Sequence, residues 1–374
     1  MKTVKLLEVW MNGNKVGLLA ETVDKRIAFE YDADWIKKGF SISPISLPLE
    51  KKVFISKAEP FEGLYGVFAD SLPDGWGRLL VDRMLLKQGV NPQHVSALQR
   101  LAIVGSQGMG ALEYRPAQEL SKVEFDYEFD KISEECKKVL SDSPCDELDK
   151  LYVMGGSSGG ARPKVNVRFK DEDWLVKFPS SYDDEDLGYQ EYRYALCASK
   201  CDIDVEEVHL FSSKKCKGYF GTRRFDRNTM SGERVHMITV SGMLETSHRI
   251  PNLDYNTLMR LIWIITKDDS QLKQMYRRMC FNTFSHNRDD HSKNFSFLYD
   301  SKSLRWKLTP AYDMTYSSSV GGEHATCVAG NGVNPGMKEL ISVGVEAGLS
   351  REWCEKVAEK IREIVTVELG EYLI

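Results

Sequence analysis

The sequence predicts an α+β fold with two lobes, in which strands dominate the first part of the chain and helices the last. Three observations predict this class. Residues 5–31 have the alternating pattern of a β-meander, with the hairpin signal Asn12-Gly13 between its first two strands. Residues 151–245 combine several further strands with one helix, and after residue 250 the hydrophobic period becomes helical. We expect the two lobes to face a cleft.

The N-terminal third is predicted to contain the meander, two helices, one further strand and a linking helix. The meander strands are KLLEVWM, KVGLLAE and RIAFEYD. A helix is predicted after Gly75, and LQRLAIVG continues as a helix. SQGMGALEYRP is typical of a turn and a strand, and residues 125–142 of a linking helix.

The remainder is predicted to alternate strands with a helix and then to become helical. YVMGGSSGGARPKVNVRF is predicted to be a Gly/Ser-rich loop that runs into an alternating strand, with GGSSGGARPK at residues 155–164, and a helix is predicted at residues 186–201. The other predicted strands are DWLVKFPS, EVHLF, GYFGTRRFD, RVHMITVSG, NFSFLYD and RWKLTPAYD, and the late helices are NTLMRLIWIITK, QLKQMYRRMCFNTFS and REWCEKVAEKIREIVTVELGEYL.

Composition excludes several classes of protein. The chain has 374 residues, of which 28% are charged, and a net charge of −5, which argues against binding nucleic acid through an overall positive field. Its eight cysteines include no CxxC pair, so we expect reduced thiols in a cytoplasmic protein rather than a disulfide framework or a zinc site. No apolar run is long enough to span a bilayer, and we expect no membrane partner.

The most unusual stretch is FSHNRDDHSKNFSFLYD, at residues 284–300. Asn294 lies five residues after Asp289, and Asp313 lies nineteen residues after Asn294. Protein kinases space an Asp and an Asn in the same way in their catalytic loop, and a metal-binding Asp follows. In such a set one carboxylate accepts the proton of a hydroxyl group, while an amide oxygen and a second carboxylate bind Mg²⁺.

Three further features occur in the order expected of a phosphotransferase. The loop at residues 155–164 is rich in small residues, which let backbone N–H groups approach a phosphate closely. Lys177 follows in a predicted strand, and Glu191 follows on a predicted helix, where it could form an ion pair with that lysine. The order and the spacing together are more specific than any single feature.

Each of these features also has a simpler interpretation. A Gly/Ser-rich loop is most often a flexible turn, and a single strand lysine is most often solvated. The HNRDDH stretch, residues 286–291, could be a metal cluster of a hydrolase, because it offers two imidazoles and two carboxylates. RRFDR, residues 223–227, could form an internal ion pair or a basic rim. A hydrolase, however, would not require Lys177 or the loop.

The chain resembles the HipA family of serine/threonine kinase toxins over nearly its whole length. VWMNGNKVGLLAE, DWIKKG, SPISLPL and FADSLPDGWGR resemble the N-terminal subdomain of that family. SSGGARPK, LVKFP, QEYRYALCA, RRFDR, DDHSKNFSFL and LTPAYDM resemble its kinase core. The resemblance implies a protein-kinase-like fold with an N-terminal subdomain at residues 1–118, a kinase N-lobe at 119–245 and a helical C-lobe at 246–374.

The resemblance also implies a role for each candidate residue. Asp289 would be the catalytic base, Asn294 and Asp313 would bind Mg²⁺, and Lys177 would bind the phosphates of ATP with support from Glu191. Ser157 or Ser158 would be autophosphorylated. The other implied nucleotide-binding residues are Gly159, Gly160 and Ala161 of the loop, Met237, Thr239 and Ser241 of a hinge that holds adenine through backbone groups, and His291 and Lys293 of the catalytic loop.

Two departures from the family and from other kinases bear on these roles. Asp290 stands where family members often have glycine, so two neighbouring carboxylates compete for the role of base, and the spacing to Asn294 favours Asp289. NRD replaces the HRD of eukaryotic kinases and YDM replaces DFG, so activation by a flip of the latter motif is not supported.

The resemblance implies an ATP-dependent kinase that phosphorylates a translation component such as an aminoacyl-tRNA synthetase. Its implied partner is a helix-turn-helix antitoxin of the HipB type, and contact with DNA would be indirect, through that antitoxin. The negative net charge agrees with this division of roles. A nucleotide-binding corepressor without turnover is the other alternative that remains open.

Overall fold

The computed structural model describes residues 4–118, 120–121 and 128–373, and it mixes helices and strands as predicted. The strands are β1 (Leu6–Met11), β2 (Asn14–Glu21), β3 (Ile27–Tyr31), β4 (Val53–Ile55), β5 (Leu112–Arg115), β6 (Lys164–Phe169), β7 (Glu172–Lys177), β8 (Val208–Phe211), β9 (Tyr219–Arg223), β10 (Met237–Thr239), β11 (Leu253–Asp254), β12 (Ser296–Asp300), β13 (Arg305–Leu308) and β14 (Thr326–Cys327). The helices are α1 (Ala33–Lys38), α2 (Gly66–Ala69), α3 (Gly75–Lys87), α4 (Ala97–Val104), α5 (Phe129–Leu140), α6 (Leu148–Gly155), α7 (Leu187–Lys200), α8 (Val240–Met243), α9 (Tyr255–Thr266), α10 (Asp269–Phe284), α11 (Met337–Glu346) and α12 (Arg351–Leu369).

The chain divides into two compact units. The first consists of Met1–Gly188 and His209–Thr246, and the second of Tyr189–Val208 and Ser247–Ile374. The first unit contains a sheet in the order β4-β3-β2-β1-β5 and another in the order β6-β7-β9-β8. The second unit is mostly helical.

The first sheet confirms the predicted meander. β1, β2 and β3 are antiparallel neighbours, and every second residue of β1 is buried. The turn between β1 and β2 places Asn12 at φ 46° and Gly13 at φ 78°. Asn and Gly tolerate this left-handed region better than other residues, which is why the Asn-Gly pair predicted a tight hairpin.

The second sheet packs on α3 and α6 around a common apolar core. Trp76 and Leu80 of α3 pack in one buried cluster with Leu151 and Met154 of α6 and with Trp174 of β7. Each such side chain contributes about 1.5–3 kcal/mol when it leaves water. Helix α3 lies in the N-terminal third of the chain, so the two sequence regions predicted as subdomain and N-lobe share this core.

Two local predictions were wrong because glycine and β-branched residues hid short helices. The stretch predicted to lead into the Gly/Ser-rich loop is helix α6, which continues through Gly155 and buries Leu151 and Met154 on one face. The end of the strand predicted as RVHMITVSG is helix α8, whose first turn is capped by the hydroxyl of Thr239, which accepts the Gly242 N–H at 2.9 Å. Residues 125–127 of the predicted linking helix lie outside the described residues.

The RRFDR segment forms an internal ion pair, not a basic rim. The buried Asp226 carboxylate accepts hydrogen bonds from Arg224 at 2.7 Å, from Arg227 at 2.8 Å and from the Gly110 N–H at 2.8 Å. Burial alone would raise the pKa of Asp226, but the charges of both arginines and these hydrogen bonds hold it well below its ordinary value. Arg234 adds hydrogen bonds to carbonyl groups of the 106–110 loop, so the cluster fastens that loop.

The second unit is built on packed helices and two small strand pairs. Helix α10 packs against α9 and α12, and α11 packs against α12. β12 and β13 form an antiparallel hairpin in which Phe297 lies opposite Leu308. β11 and β14 form a short parallel pair. In the described ranges no helix has the length and apolar character needed to cross a membrane.

Candidate functional site

The predicted catalytic loop lies in the second unit, between the end of α10 and the start of β12. The segment leaves the helix at Ser285 and reverses direction at His286, whose φ is 53°. It then forms a short 3-10 helix, Ser292–Asn294, which is capped by His291: the ring Nδ1 accepts the Lys293 N–H at 3.2 Å. His291 therefore has a structural contact within the loop. The Lys293 carbonyl oxygen accepts a hydrogen bond from outside the loop, from the Tyr312 hydroxyl.

Asp289 and Asn294 are joined directly within this loop. The Asn294 amide nitrogen donates a hydrogen bond to the Asp289 carbonyl oxygen at 2.7 Å. Because this bond orients the amide group, Oδ1 of Asn294 is left as its ligand atom. The Asp289 carboxylate is 64% exposed, and its nearer oxygen lies 3.9 Å from Nε2 of His291. The residue that carries the exposed carboxylate is thus joined through its backbone carbonyl to the oriented amide of Asn294.

The neighbouring Asp290 is in a completely different environment. It is 1% exposed, and its carboxylate accepts the Tyr255 hydroxyl at 2.9 Å and the Thr326 N–H at 3.1 Å, with Nδ1 of His324 at 3.1 Å. Burial and the nearby Asp290 charge raise the pKa of Tyr255 well above its ordinary value, so this phenol remains a donor. The buried hydrogen bonds of Asp290 hold the catalytic loop in place, and Asp289 is the exposed one of these two neighbouring carboxylates.

Asp313 is connected to the catalytic loop through its neighbour in sequence. The Tyr312 hydroxyl donates to the Lys293 carbonyl oxygen at 2.7 Å and lies 2.5 Å from the Ser296 hydroxyl. Asp313 itself has φ 52°, a left-handed conformation that Asp adopts more readily than most residues and that is enriched at functional sites. The amide oxygen of Asn294 and the Asp313 carboxylate are hard oxygen donors, a set that fits Mg²⁺.

The HNRDDH stretch does not have the geometry of a metal cluster. Within residues 4–118, 120–121 and 128–373, no three His, Cys, Asp or Glu side chains converge as a metal site would require. Asp290 is used by the buried network, and the His286 ring packs near Tyr316. Burial and the adjacent Arg288 charge lower the pKa of His286. The donor arrangement therefore does not favour the hydrolase alternative.

The Gly/Ser-rich loop lies in the first unit and is fastened to the start of α3. The Asp74 carboxylate accepts the Gly160 N–H, and the Gly160 carbonyl oxygen accepts the Trp76 N–H at 2.9 Å. Gly160 has φ 85°, which only glycine adopts without strain. Gly159 is partly exposed, and Gly160 and Ala161 are exposed. These backbone groups remain near the surface while the loop is held at one point.

The two candidate serines differ in accessibility. Ser158 is 4% exposed, and its hydroxyl donates to the Gly155 carbonyl oxygen at 2.5 Å. Ser157 is half-buried. A hydroxyl that is buried and already donating is a poor nucleophile in this conformation, so accessibility favours Ser157.

Lys177 and Glu191 are both buried, in different units. Lys177 ends β7, is 9% exposed, and places Nζ 5.5 Å from the centre of the Phe220 ring. Glu191 lies on α7 and is 4% exposed. Lysine and glutamate are almost never this buried unless they interact with other groups, so neither residue is an ordinary solvated side chain.

The predicted hinge is a short strand followed by a helix start. Met237 and Thr239 are the first and last residues of β10, and Ser241 lies in α8. The Asp70 carboxylate accepts both the N–H and the hydroxyl of Thr239, at 2.7 Å and 2.8 Å. The Ser241 hydroxyl donates to the Thr246 carbonyl oxygen at 2.6 Å. The side chains of Thr239 and Ser241 are therefore structural, and the predicted contact with adenine would fall to backbone groups of the segment.

Sequence reasoning missed the residues that hold the candidate groups in place. Asp74 and Tyr312 fasten the two loops, and the Asp290 network includes His324, which is 34 residues away in sequence. One local signal was available, because Tyr312 directly precedes Asp313. The long-range partners have no local signal, since a hydrogen bond between distant residues leaves no periodic pattern.

Comparisons with known proteins agree on one family. Sequence models of the HipA N-terminal domain and the HipA-like C-terminal domain match residues 7–115 and 156–368. Two Sinorhizobium fredii proteins whose names mark them as candidate kinases, Y4dM and Y4mE, are each 24% identical over 84% and 83% of this chain, which correspond to 78% and 77% of their own lengths.

One solved structure has a similar fold over almost the entire chain. It is HipA of Shewanella oneidensis, in a complex with HipB and operator DNA, with a TM-score of 0.71 and 19% identity. The match covers 98% of this chain and 90% of that one. This match confirms the predicted α+β class and shows that the chain has the HipA fold.

Proposed function

Because this chain belongs to the HipA family, we propose that it is an ATP- and Mg²⁺-dependent serine/threonine protein kinase, the toxin of a toxin–antitoxin pair. The candidate kinases among its relatives support a kinase activity. One observation carries the proposal: the exposed Asp289 lies beside the oriented amide of Asn294, while the adjacent Asp290 is buried and bonded.

In this mechanism the protein positions groups and stabilises charge. The Asp289 carboxylate orients the substrate hydroxyl and accepts its proton, a role for which its exposure suits it. The Lys177 ammonium binds phosphate oxygens, and the N–H groups of the Gly/Ser-rich loop contribute further donors. Glu191, His291 and Lys293 are proposed to contribute to the nucleotide site, and the Met237–Ser241 segment to contact adenine.

Asn294 and Asp313 are the residues that would hold Mg²⁺. When bound, the ion neutralises the charge that develops on the transferred phosphoryl group. The Tyr312 bond to Lys293 supports this assignment because it ties the segment before Asp313 to the segment before Asn294. We retain the division into residues 1–118, 119–245 and 246–374 as part of the same proposal.

ATP with Mg²⁺ is expected to raise the melting temperature, and Lys177→Met is expected to weaken that effect. Loss of a charge-assisted hydrogen bond to phosphate costs about 1.5–3 kcal/mol, or roughly 10- to 150-fold in affinity. The measurement is a thermal-shift titration with ATP alone, ATP with Mg²⁺, and Mn²⁺ or Zn²⁺ alone. Lys214→Met, at an exposed position, is the matched control.

The same titration, followed by radiolabel transfer, separates the alternatives. A corepressor without turnover would bind ATP with Mg²⁺ but transfer no phosphate. A metal hydrolase would be stabilised by Mn²⁺ or Zn²⁺ and would show no affinity for ATP. Unchanged ATP binding in the Lys177→Met variant would contradict the assignment of this lysine.

We expect autophosphorylation on Ser157, and expect it to limit activity. A phosphate adds about −1.5 to −2 charges, which would repel ATP from the same loop. Intact-mass spectra after incubation with ATP and Mg²⁺ should show one added phosphate that is absent from Ser157→Ala and present in Ser158→Ala. The reverse pattern would transfer the role to Ser158, and an unmodified loop in all three proteins would exclude self-limitation by this route.

The proposed partner is a helix-turn-helix antitoxin of the HipB type. The similar HipA structure from Shewanella oneidensis contains HipB and operator DNA, which supports a complex of this kind. With a net charge of −5, the chain itself is suited to indirect contact with DNA through that partner. A translation component such as an aminoacyl-tRNA synthetase is the proposed substrate class, as the family resemblance implies.

A further inference from the structure

A pocket of about 510 Å³ opens in the first unit beside the Gly/Ser-rich loop. Its walls come from α3, α4 and the end of α6, and Gly156 and Ser157 line it where the loop begins. Val81, Ile103 and Val104 supply apolar surface, and the mouth includes the exposed Ala117. The nucleotide-binding residues proposed above do not include this surface, apart from Ser157.

Arg78 and Arg100 line this pocket, and both form ion pairs with the Asp82 carboxylate. Arg100 is 4% exposed, and it donates from Nη1 to the Asp82 carboxylate at 2.8 Å and from Nη2 to the Pro92 carbonyl oxygen at 2.8 Å. In the described part of the chain, its buried Nε has no acceptor. Arg78 shares the same Asp82, at 3.3 Å, and is 3.9 Å from the exposed Glu62. Because two guanidinium groups share one close carboxylate, an anionic ligand at the pocket side of Arg78 would complete their charge pairing.

The size and the walls of the pocket decide the class of ligand. Pockets for small molecules range from about 300 to 1,000 Å³ and are mostly apolar with a few fixed polar groups. A lone phosphate or carboxylate would fill only a small part of 510 Å³ and would leave the apolar wall uncovered. The arrangement therefore suits an anionic group attached to an apolar body.

A ligand in this pocket would restrain the start of the Gly/Ser-rich loop, because the end of α6 lines the pocket and leads directly into that loop. Tyr152 and Val153 of α6 line the pocket, and Gly156, which follows the helix end, donates its N–H to the Tyr152 carbonyl oxygen at 2.8 Å. We propose that the pocket binds a small organic anion with an apolar body, and that the bound anion holds Gly156 and Ser157 in the conformation seen here. The effect on Ser157 modification rests on the proposed kinase function, whereas binding does not.

Phenyl phosphate tests the ligand class because it combines an aromatic body with an anion. In isothermal titration calorimetry of the full chain, we expect it to bind at least about 10-fold more tightly than inorganic phosphate or phenol. Arg78→Gln and the mouth-filling variant Ala117→Trp should each weaken it by about 10-fold or more. Ala33→Phe, at an exposed position on α1, is the control for a large side chain on the surface. Equal affinities for phenyl phosphate and inorganic phosphate would overturn the proposal.

Two further measurements locate the ligand and separate this site from the nucleotide site. Hydrogen exchange of residues 152–158 should slow when phenyl phosphate binds, while exchange in α12 should not change. If the ligand occupied the nucleotide site instead, Lys177→Met would weaken it and Ala117→Trp would not, and the proposal would fail. If ATP and Mg²⁺ produced no thermal shift but the affinity for phenyl phosphate still fell in the Arg78→Gln variant, the kinase proposal would fail. The proposal that the pocket binds an organic anion would then still hold.

Discussion

Replacing Asp289 by asparagine is expected to reduce phosphoryl transfer by about 10²- to 10⁴-fold, the usual contribution of a positioned general base. The carboxylate is 64% exposed, so its loss should change the free energy of unfolding by no more than about 0.5 kcal/mol. The backbone carbonyl of residue 289 would still accept the Asn294 amide, so the Asn294 ligand atom should keep its orientation. We therefore expect ATP binding with Mg²⁺ to persist in a protein that transfers almost no phosphate.

The measurement is the initial rate of radiolabel transfer to a protein substrate or to the loop serine, with nucleotide affinity determined on the same sample. Asp300→Asn, a change in another carboxylate of the second unit, provides the control for loss of one charge. If the Asp289→Asn protein retained full activity, the assignment of the base would be wrong, and the kinase mechanism proposed for this loop would lose its central residue.

Replacing Asp290 by alanine is expected to have the opposite profile, with a loss of stability of about 3–5 kcal/mol. The substitution would remove the acceptor of the Tyr255 hydroxyl and the Thr326 N–H and would leave both donors buried. Each buried group without a partner costs about 1–3 kcal/mol. Urea unfolding followed by circular dichroism measures the difference, and Asp289→Ala, one residue away, is the matched control.

The two variants together test the interpretation of adjacent carboxylates. Asp289→Ala should unfold at nearly the wild-type urea concentration, and Asp290→Ala at a much lower one. Equal stabilities would mean that the hydrogen bonds of Asp290 contribute little to folding. Any loss of activity in the Asp290→Ala protein should accompany loosening of the loop, which thermal melting would register before activity is assayed.

Local patterns in the sequence predicted the elements whose residues interact with their neighbours in the chain. The meander follows from alternation and from the Asn12-Gly13 turn, and the helices after residue 250 follow from their apolar period. Helix α6 was missed because its last residue is Gly155 and Gly156 follows, and glycine has a low helix propensity. Only the packing of Leu151 and Met154 into the shared core reveals why this segment is helical.

The candidate site was only partly predictable for a similar reason. Spacing drew attention to Asp289, Asn294 and Asp313, but it could not assign different roles to Asp289 and Asp290, which are chemically identical neighbours. The distinction depends on Tyr255 and His324, whose approach to Asp290 is set by the tertiary fold.

The attachment of the Gly/Ser-rich loop to α3 bears on whether the N-terminal family region can fold by itself. Trp76 belongs to the N-terminal sequence region, yet it is 1% exposed in a core shared with β6 and β7, and its indole N–H donates to the Lys164 carbonyl oxygen at 3.1 Å. A fragment without the N-terminal family region would lack Trp76 and Leu80 from that core and the contacts of Asp74 and Trp76 with Gly160. We therefore expect the N-terminal family region to unfold together with β6 and β7 rather than independently of them.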